Sequence, residues 1–181
     1  RGRSKNIVTM ISKTEKENLK KKIKSISWMF FDVDGVLTDG SLYYGPNGET
    51  IKRFNALDGH GIKLLFSHGI NVGLISGRDH PATRVRANEL GIKNLMMGTE
   101  NKLKAFNEWA FNHSIDPKLC GHMGDDLPDA VLFKKVGFSA SVPDAPEDIR
   151  LVADYVSKKA GGKGAVREVV ELILKVKKEY A

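Results

Sequence analysis

The sequence predicts an α/β protein built on a doubly wound, mainly parallel sheet. Short apolar runs such as Trp28-Met29-Phe30-Phe31 and Val72-Gly73-Leu74-Ile75 read as strands buried on both faces. Helix-period stretches stand between these runs on short loops, as parallel crossovers require. The runs end abruptly in polar residues: Asp32 and Asp34 after the first, Ser76 after the second, Asp125 after a later one. In open α/β sheets the carboxyl ends of the strands are where ligands bind.

Residues 1–25 are polar, with Ile11, Leu19 and Ile23 spaced for a short amphipathic helix from about Thr14. A strand is expected near Ser27 to Val33. Ser41 to Tyr44, the turn Gly45-Pro46-Asn47-Gly48, and Glu49 to Phe54 read as a β-hairpin inserted at about 41–54. Its aromatics suit a lid or a subunit contact, and an ordinary surface hairpin fits equally. Asn55 to Gly59 turns into a helix with Ile62, Leu65 and Phe66 on one face, stopped by Gly69. Asn71 to Ile75 is the second strand. Pro81 opens and Gly91 closes the next helix, and Lys93 to Met97 is a third strand. Asn101 N-caps a helix to about Asn112, which puts Lys102 in its first turn. Leu119 to Met123 forms a fourth strand, ended by Gly124-Asp125-Asp126-Leu127-Pro128-Asp129, with a helix to Lys135. Gly137 to Ala140 and Tyr155-Val156 complete the sheet. Val166, Val169, Val170, Ile173 and Val176 mark the last helix. No repeat or linker divides the chain, so residues 1–181 read as one domain.

Hydrophobic residues make up 41% and charged residues 28%, ordinary for a soluble protein, and no apolar run nears the roughly 20 residues of a membrane span. No membrane association is expected. The net charge of +7 gathers at the ends, in Lys16 to Lys24 and Lys175 to Lys178. Without interleaved aromatics these runs read as solvated helix faces rather than a nucleic-acid platform. The single cysteine, Cys120, leaves no intrachain disulfide and fits a reducing, cytoplasmic setting. No long apolar stretch opens the chain, so no secretory leader is expected. Arg1-Gly2-Arg3-Ser4 reads equally as native sequence or as an expression remnant.

Asp32 and Asp34 flank Val33, so an extended backbone turns both carboxylates to one side. Gly35 then permits a sharp turn. Two acids facing one way call for a cation between them. The pattern Asp-x-Asp-Gly-x-x-Thr over Asp32–Thr38, with Ser76, Lys102 and Asp125 each after a strand or opening a helix, resembles the four motifs of the haloacid dehalogenase-like phosphatases. These residues supply the parts of phosphoryl transfer: Asp32 as nucleophile, Asp34 as general acid and base, Ser76 as hydrogen-bond donor to the phosphate, and Lys102 as a positive charge at a helix N-terminus. Asp32, Asp125 and the main-chain carbonyl of Asp34 form a site suited to Mg²⁺. The segments 38–76 and 102–125 leave no room for a cap domain. The expected fold is thus Rossmann-like, with the hairpin as its one small insertion.

Three further stretches sharpen the match. Asp32 to Gly40 with the hairpin, Phe54 to Ile62, and Ala160-Gly161-Gly162-Lys163-Gly164-Ala165-Val166-Arg167-Glu168-Val169 together resemble the 3-deoxy-D-manno-octulosonate 8-phosphate phosphatase family. The resemblance implies a capless, Mg²⁺-dependent homotetramer whose hairpins and C-terminal tails help close neighbouring sites, acting in the synthesis of the lipopolysaccharide inner-core sugar. Carried over by position, it implies metal ligation by Asp32, Asp34 and Asp125. Substrate contacts are implied for Asp34, Asn55, Ala56, Leu57, Asp58, Gly59, Lys63, Ser76, Arg78, Arg86 and Lys102. Two positions depart from the pattern. Lys63 and Lys163 stand where arginine is usual, so a point charge replaces a bidentate fork. Arg78 and Arg86 are expected to share a face near the site, or Arg84 and Arg86 to be solvated. Cys120 and His122 alternate on a buried strand and read as packing, not a second metal site. Gly161 to Gly164 lacks P-loop spacing and reads as a flexible tail. Removing residues 160–181 should alter affinity more than chemistry.

A phosphatase for a nine-carbon, sialic-type acid 9-phosphate is a second reading. A non-catalytic assembly module is a third, opposed by the intact Asp32, Asp34, Lys102 and Asp125.

Overall fold

The computed structural model describes residues 13–178. Ile11 in the first helix and the nature of residues 1–4 lie outside the described residues. Helix α1 (Lys13–Ser25) leads into β1 (Trp28–Phe31), a tight turn over Val33–Leu37, and the hairpin β2 (Tyr43–Gly45) and β3 (Gly48–Ile51). Then follow α2 (Ala56–Ser67), β4 (Asn71–Ser76), α3 (Pro81–Leu90), β5 (Asn94–Met97), α4 (Lys102–Asn112) and β6 (Cys120–Met123). The chain continues through α5 (Leu127–Phe133), β7 (Phe138–Ser141), α6 (Glu147–Val152), β8 (Tyr155–Val156) and α7 (Ala165–Lys177).

Six strands form one sheet in the order β5-β4-β1-β6-β7-β8, and every pairing in it is parallel. The antiparallel hairpin is a sheet of its own. From β1 the chain goes to β4 on one side, and from β6 to β7 on the other. Connections diverging from two adjacent strands open a crevice at their carboxyl ends.

Alternation along β1 sorts the core. Met29 and Phe31 join the cluster under α1, α2 and α7, while Phe30 joins Phe106, Trp109 and Leu132 under α4 and α5. Both faces are covered, which is why these strands carry continuous apolar runs. Burying each of these large side chains contributes roughly 2 kcal/mol.

Three features differ from expectation. The hairpin strands are shorter, because Lys52 leaves the ladder to turn toward Asp34. Helix α6 was not foreseen: it is one short segment with a single buried side chain, Ile149, too brief for a periodic signal. The glycine segment is not a flexible tail but an ordered turn. Gly162 N donates to Val36 O at 3.0 Å, and a Cβ on Gly161 would stand 1.8 Å from Gly35 O. Main chain lies on main chain there, which only glycine permits. Because α7 buries Val166, Val169, Val170 and Ile173, removing residues 160–181 would open the core rather than adjust affinity alone.

Candidate active site

Asp32 follows β1 directly, and its amide donates to Met123 O at 2.9 Å, tying the end of β1 to the end of β6. Gly35 adopts a positive φ of 95°. A Cβ there would fall 1.9 Å from Asp125 Oδ2, so the turn brings backbone flush against that carboxylate. Buried Thr38 closes the turn: its Oγ1 accepts from Gly35 N at 3.3 Å and Gly40 N at 3.1 Å.

Carboxylate oxygens of Asp32, Asp125 and Asp129 lie within 4.8 Å of one another. Lys102, the first residue of α4, sits 2.9 Å from Asp32 Oδ1 and donates to Asp129 Oδ1 at 2.7 Å. Asn101 caps that helix by accepting from Lys104 N at 2.9 Å, which fixes where Lys102 begins. Burial pushes Asp32 up to about 8, with Asp129 adding to the rise and Lys102 opposing it. Burial likewise raises Asp125 to about 6, against a hydrogen bond with Asp32. Asp129 goes the other way, down to about 2: burial opposes its charge, but the donors His122 and Lys102 outweigh it. Burial also works against the Lys102 charge, and Asp32 and Asp129 more than restore it.

Asp129 is the residue that sequence reading missed. Its Oδ1 accepts from Lys102 and bonds His122 Nε2 at 2.7 Å, and its Oδ2 accepts from Asp125 N at 3.2 Å and Asp126 N at 3.3 Å. Four partners occupy its lone pairs. The carboxylates left free to hold a cation are therefore Asp32 and Asp125. Their closeness, the burial of Asp32 and half-burial of Asp125, and their raised pKa values fit a hard divalent ion with oxygen ligands. The Asp34 carboxylate is not in this cluster.

The hairpin supplies a second set. Lys52 Nζ donates to Asp34 Oδ1 at 2.5 Å and to Glu49 Oε1 at 2.8 Å. Burial disfavours the Lys52 charge, and these two acids raise its pKa above the ordinary lysine value. Arg78 donates to Glu49 Oε2 at 3.2 Å, with its Nε 4.0 Å from Asp34 Oδ2. Ser76 ends β4 two residues past Leu74, the partner of Phe31, and its buried Oγ accepts from Arg78 N at 3.2 Å. Lys52 and Glu49 gave no motif signal; only their place in the hairpin brings them here.

The remaining residues gather at the start of α2. Asn55 caps that helix, its Oδ1 accepting from Leu57 N at 2.8 Å and Asp58 N at 3.2 Å. Arg86 donates to Asn55 O at 3.4 Å and to Glu89 at 2.8 Å, and Gly59 leaves it room, since a Cβ there would lie 2.1 Å from its Nη2. Ala56, Leu57 and Lys63 are exposed. Asp58 is not turned outward as expected of a substrate contact. It is buried, and its carboxylate accepts from Gly164 N at 3.2 Å and Arg167 N at 2.9 Å, anchoring the start of α7. Arg78 and Arg86 do not share a helix face, because Arg78 precedes α3 and pairs with the hairpin. Arg84 grips Asp79 through two 2.6 Å bonds at the surface. Cys120 and His122 are buried as expected, but His122 also touches the site through Asp129.

A capless parallel sheet with clustered aspartates at its diverging strand ends and a buried lysine against them defines a haloacid dehalogenase-like hydrolase. The family profile of that description matches residues 94–169. The 3-deoxy-D-manno-octulosonate 8-phosphate phosphatase of Escherichia coli K12 is 44% identical over 153 residues, covering 84% of this chain and 81% of the relative. The Moraxella catarrhalis phosphatase of the same name, solved with magnesium, phosphate and a KDO molecule, superposes with a TM-score of 0.86 at 40% identity, covering 90% of this chain and 93% of that one. The cobalt-bound Haemophilus influenzae enzyme gives 0.84 at 40% identity, covering 87% and 92%. The chain belongs to the 3-deoxy-D-manno-octulosonate 8-phosphate phosphatase family.

Proposed function

We propose that this protein hydrolyses 3-deoxy-D-manno-octulosonate 8-phosphate to the free sugar acid and phosphate, with Mg²⁺ as cofactor, in the synthesis of the lipopolysaccharide inner-core sugar. The observation that carries the reading is the buried Lys102 placed 2.9 Å from Asp32 within an acid cluster fit for a divalent ion.

Asp32 and Asp125, with the main-chain carbonyl of Asp34, are the ligands this reading assigns. A bound Mg²⁺ offsets the negative charge that a carboxylate and a phosphate bring together. One Asp32 oxygen attacks phosphorus as the ester P–O bond breaks, giving an aspartyl-phosphate and an alkoxide. Asp34 gives that alkoxide its proton. It then takes a proton from the water that attacks the aspartyl-phosphate, which restores Asp32 and releases phosphate. Lys102 and Ser76 stabilise the transferring group, Lys102 with the amino end of α4 behind it. Arg78 is a cation for the substrate carboxylate, which exchanges with Glu49. Lys63, Arg86 and the Asn55–Gly59 segment complete the substrate set, Asp58 acting by holding α7 in place.

A homotetramer fits this reading. Leu42, Tyr44 and Ile51 on the hairpin, with Leu57 and Val85, are exposed apolar side chains suited to contact with other copies. Light scattering should return four chains. Among the described residues no helix is long and apolar enough to cross a membrane, and the free Cys120 supports a reducing, cytoplasmic setting.

The test is turnover of the eight-carbon 8-phosphate beside a nine-carbon sialic-type acid 9-phosphate, with Mg²⁺. Preference for the first supports the reading; equal or inverted preference defeats it. Asp32→Asn should abolish turnover and leave the fold intact. Activity toward no sugar phosphate at all would favour an assembly role.

A further inference from the structure

Behind the catalytic lysine lies a residue to which neither motif nor family resemblance gives a role. His122 sits on β6 with no exposed surface. Its neighbour along the strand, Met123, pairs with Phe31 and accepts the Asp32 amide, so His122 is one residue from the nucleophile's anchor. Its Nε2 bonds Asp129 Oδ1 at 2.7 Å, and that same oxygen accepts from Lys102 Nζ at 2.7 Å. Lys102 reaches on to Asp32. Four side chains thus stand in a line from the nucleophile into the core: Asp32, Lys102, Asp129, His122.

The other ring nitrogen, Nδ1, is buried and has no hydrogen-bond partner. The Asp129 carboxylate, ion-paired to Lys102, offers only acceptor oxygens. The proton in this bond therefore belongs to Nε2, and the imidazole donates to Asp129. If packing alone set this position, an aliphatic side chain would fill it without leaving a polar atom unpaired beside Phe133.

We infer that His122 is a positioning residue for the phosphatase reaction: by donating to Asp129 Oδ1 it divides that oxygen between two donors, and so leaves Lys102 shared with Asp32. The inference rests on the functional reading above. Asp129 Oδ2 is held by the amides of Asp125 and Asp126, so the carboxylate is fixed at one oxygen and steered at the other. Without His122, Oδ1 has one donor, and Lys102 shifts its hydrogen bond toward Asp129 and away from the reacting group. The loss falls on the transition state, where the lysine charge acts, and not on ground-state binding of the sugar.

Three variants separate this role from packing. Gln places an amide donor where His has Nε2, Asn places one nearer to Nδ1, and Leu supplies none. With p-nitrophenyl phosphate and saturating Mg²⁺, His122→Leu and His122→Asn should lower kcat about tenfold with KM within about twofold, a barrier rise of about 1.4 kcal/mol. His122→Gln should recover most of kcat. Thermal melts of each variant report folding independently, and the kcat order should not follow the order of melting temperatures. Equal kcat in wild type and His122→Leu would overturn the inference, as would kcat tracking melting temperature with no rescue by Gln. Turnover of the octulosonate phosphate by the wild type tests the functional reading, while the variant-to-wild-type ratio on the aryl phosphate tests His122, so the two fail separately.

Discussion

Lys52 Nζ donates to Asp34 Oδ1 at 2.5 Å, across a hairpin turn that the motifs do not include. The lysine side chain is 1% exposed, and its carboxylate partners Asp34 and Glu49 are 22% and 8% exposed. A buried lysine held by two acids fixes the rotamer of each. Lys52→Met keeps much of the stem and removes the donor. It should cut kcat/KM by on the order of 10- to 100-fold, since Asp34 is then free to turn from the leaving group. Steady-state kinetics checks this, and an unchanged kcat/KM would show that Asp34 is held by other means.

The turn of Gly161 and Gly162 under the Val33–Leu37 loop makes a stability prediction. In Gly161→Ala the new methyl meets Gly35 O at 1.8 Å, and both neighbours are main chain that cannot swing aside. The cost should be about 3 kcal/mol by urea unfolding, as for strong overpacking. At Gly77 the nearest atom to a built Cβ is 3.8 Å away, so Gly77→Ala should unfold within about 1 kcal/mol of the wild type.

Metal removal should couple to pH. Asp32 is raised to about 8 and Asp125 to about 6 by burial, so an ion held by these two, as proposed, must displace protons to bind below those values. Protein stripped with chelator and titrated with Mg²⁺ should bind more tightly at pH 8 than at pH 6 and release protons as it does. Calorimetry in two buffers of different ionisation enthalpy reads that release. Affinity independent of pH over this range would contradict it.

Glu168 gives an acid-side prediction. It accepts from Tyr155 OH at 2.8 Å, Lys158 N at 2.9 Å and Lys159 N at 3.0 Å, fastening the strand that leads into the glycine turn. Burial opposes its charge, but these donors outweigh burial and hold it below the usual glutamate value. A depressed folded pKa gives stability present above the unfolded value, about 4.3, and lost as pH falls through the folded one. The stability gap between wild type and Glu168→Gln should thus be full at pH 7 and shrink near pH 3.5. A gap that widens in acid would reverse the sign.

Much of this was legible in the sequence because the strands are buried on both faces. Trp28–Phe31 and Val72–Ile75 carry no polar residue, and the acids that end β1 and β6 stand out against them. Asn101 is the helix cap that its side chain suggested, and Asn55 caps α2 where the sequence placed a turn into a helix. Asp129 hid because Gly124–Asp129 also reads as a capped helix start, and the residue does take part in a capping box with Asp126. Lys52 hid because a charged residue at the end of a hairpin strand is ordinary until the hairpin's angle to the sheet is known. Asp58 was implied as a substrate contact by the family resemblance, and its carboxylate partners are amides more than 100 residues away in sequence. Such long-range pairings leave no local pattern.

The nucleophile proposed for the reaction is the Asp32 carboxylate. Enzyme mixed with substrate and Mg²⁺, quenched in acid and reduced with borohydride, converts an acyl-phosphate aspartate to homoserine. Peptide mass mapping should find that change at residue 32 and be blank in Asp32→Asn; a change at Asp34, Asp125 or Asp129, or none in an actively turning-over enzyme, would contradict the account.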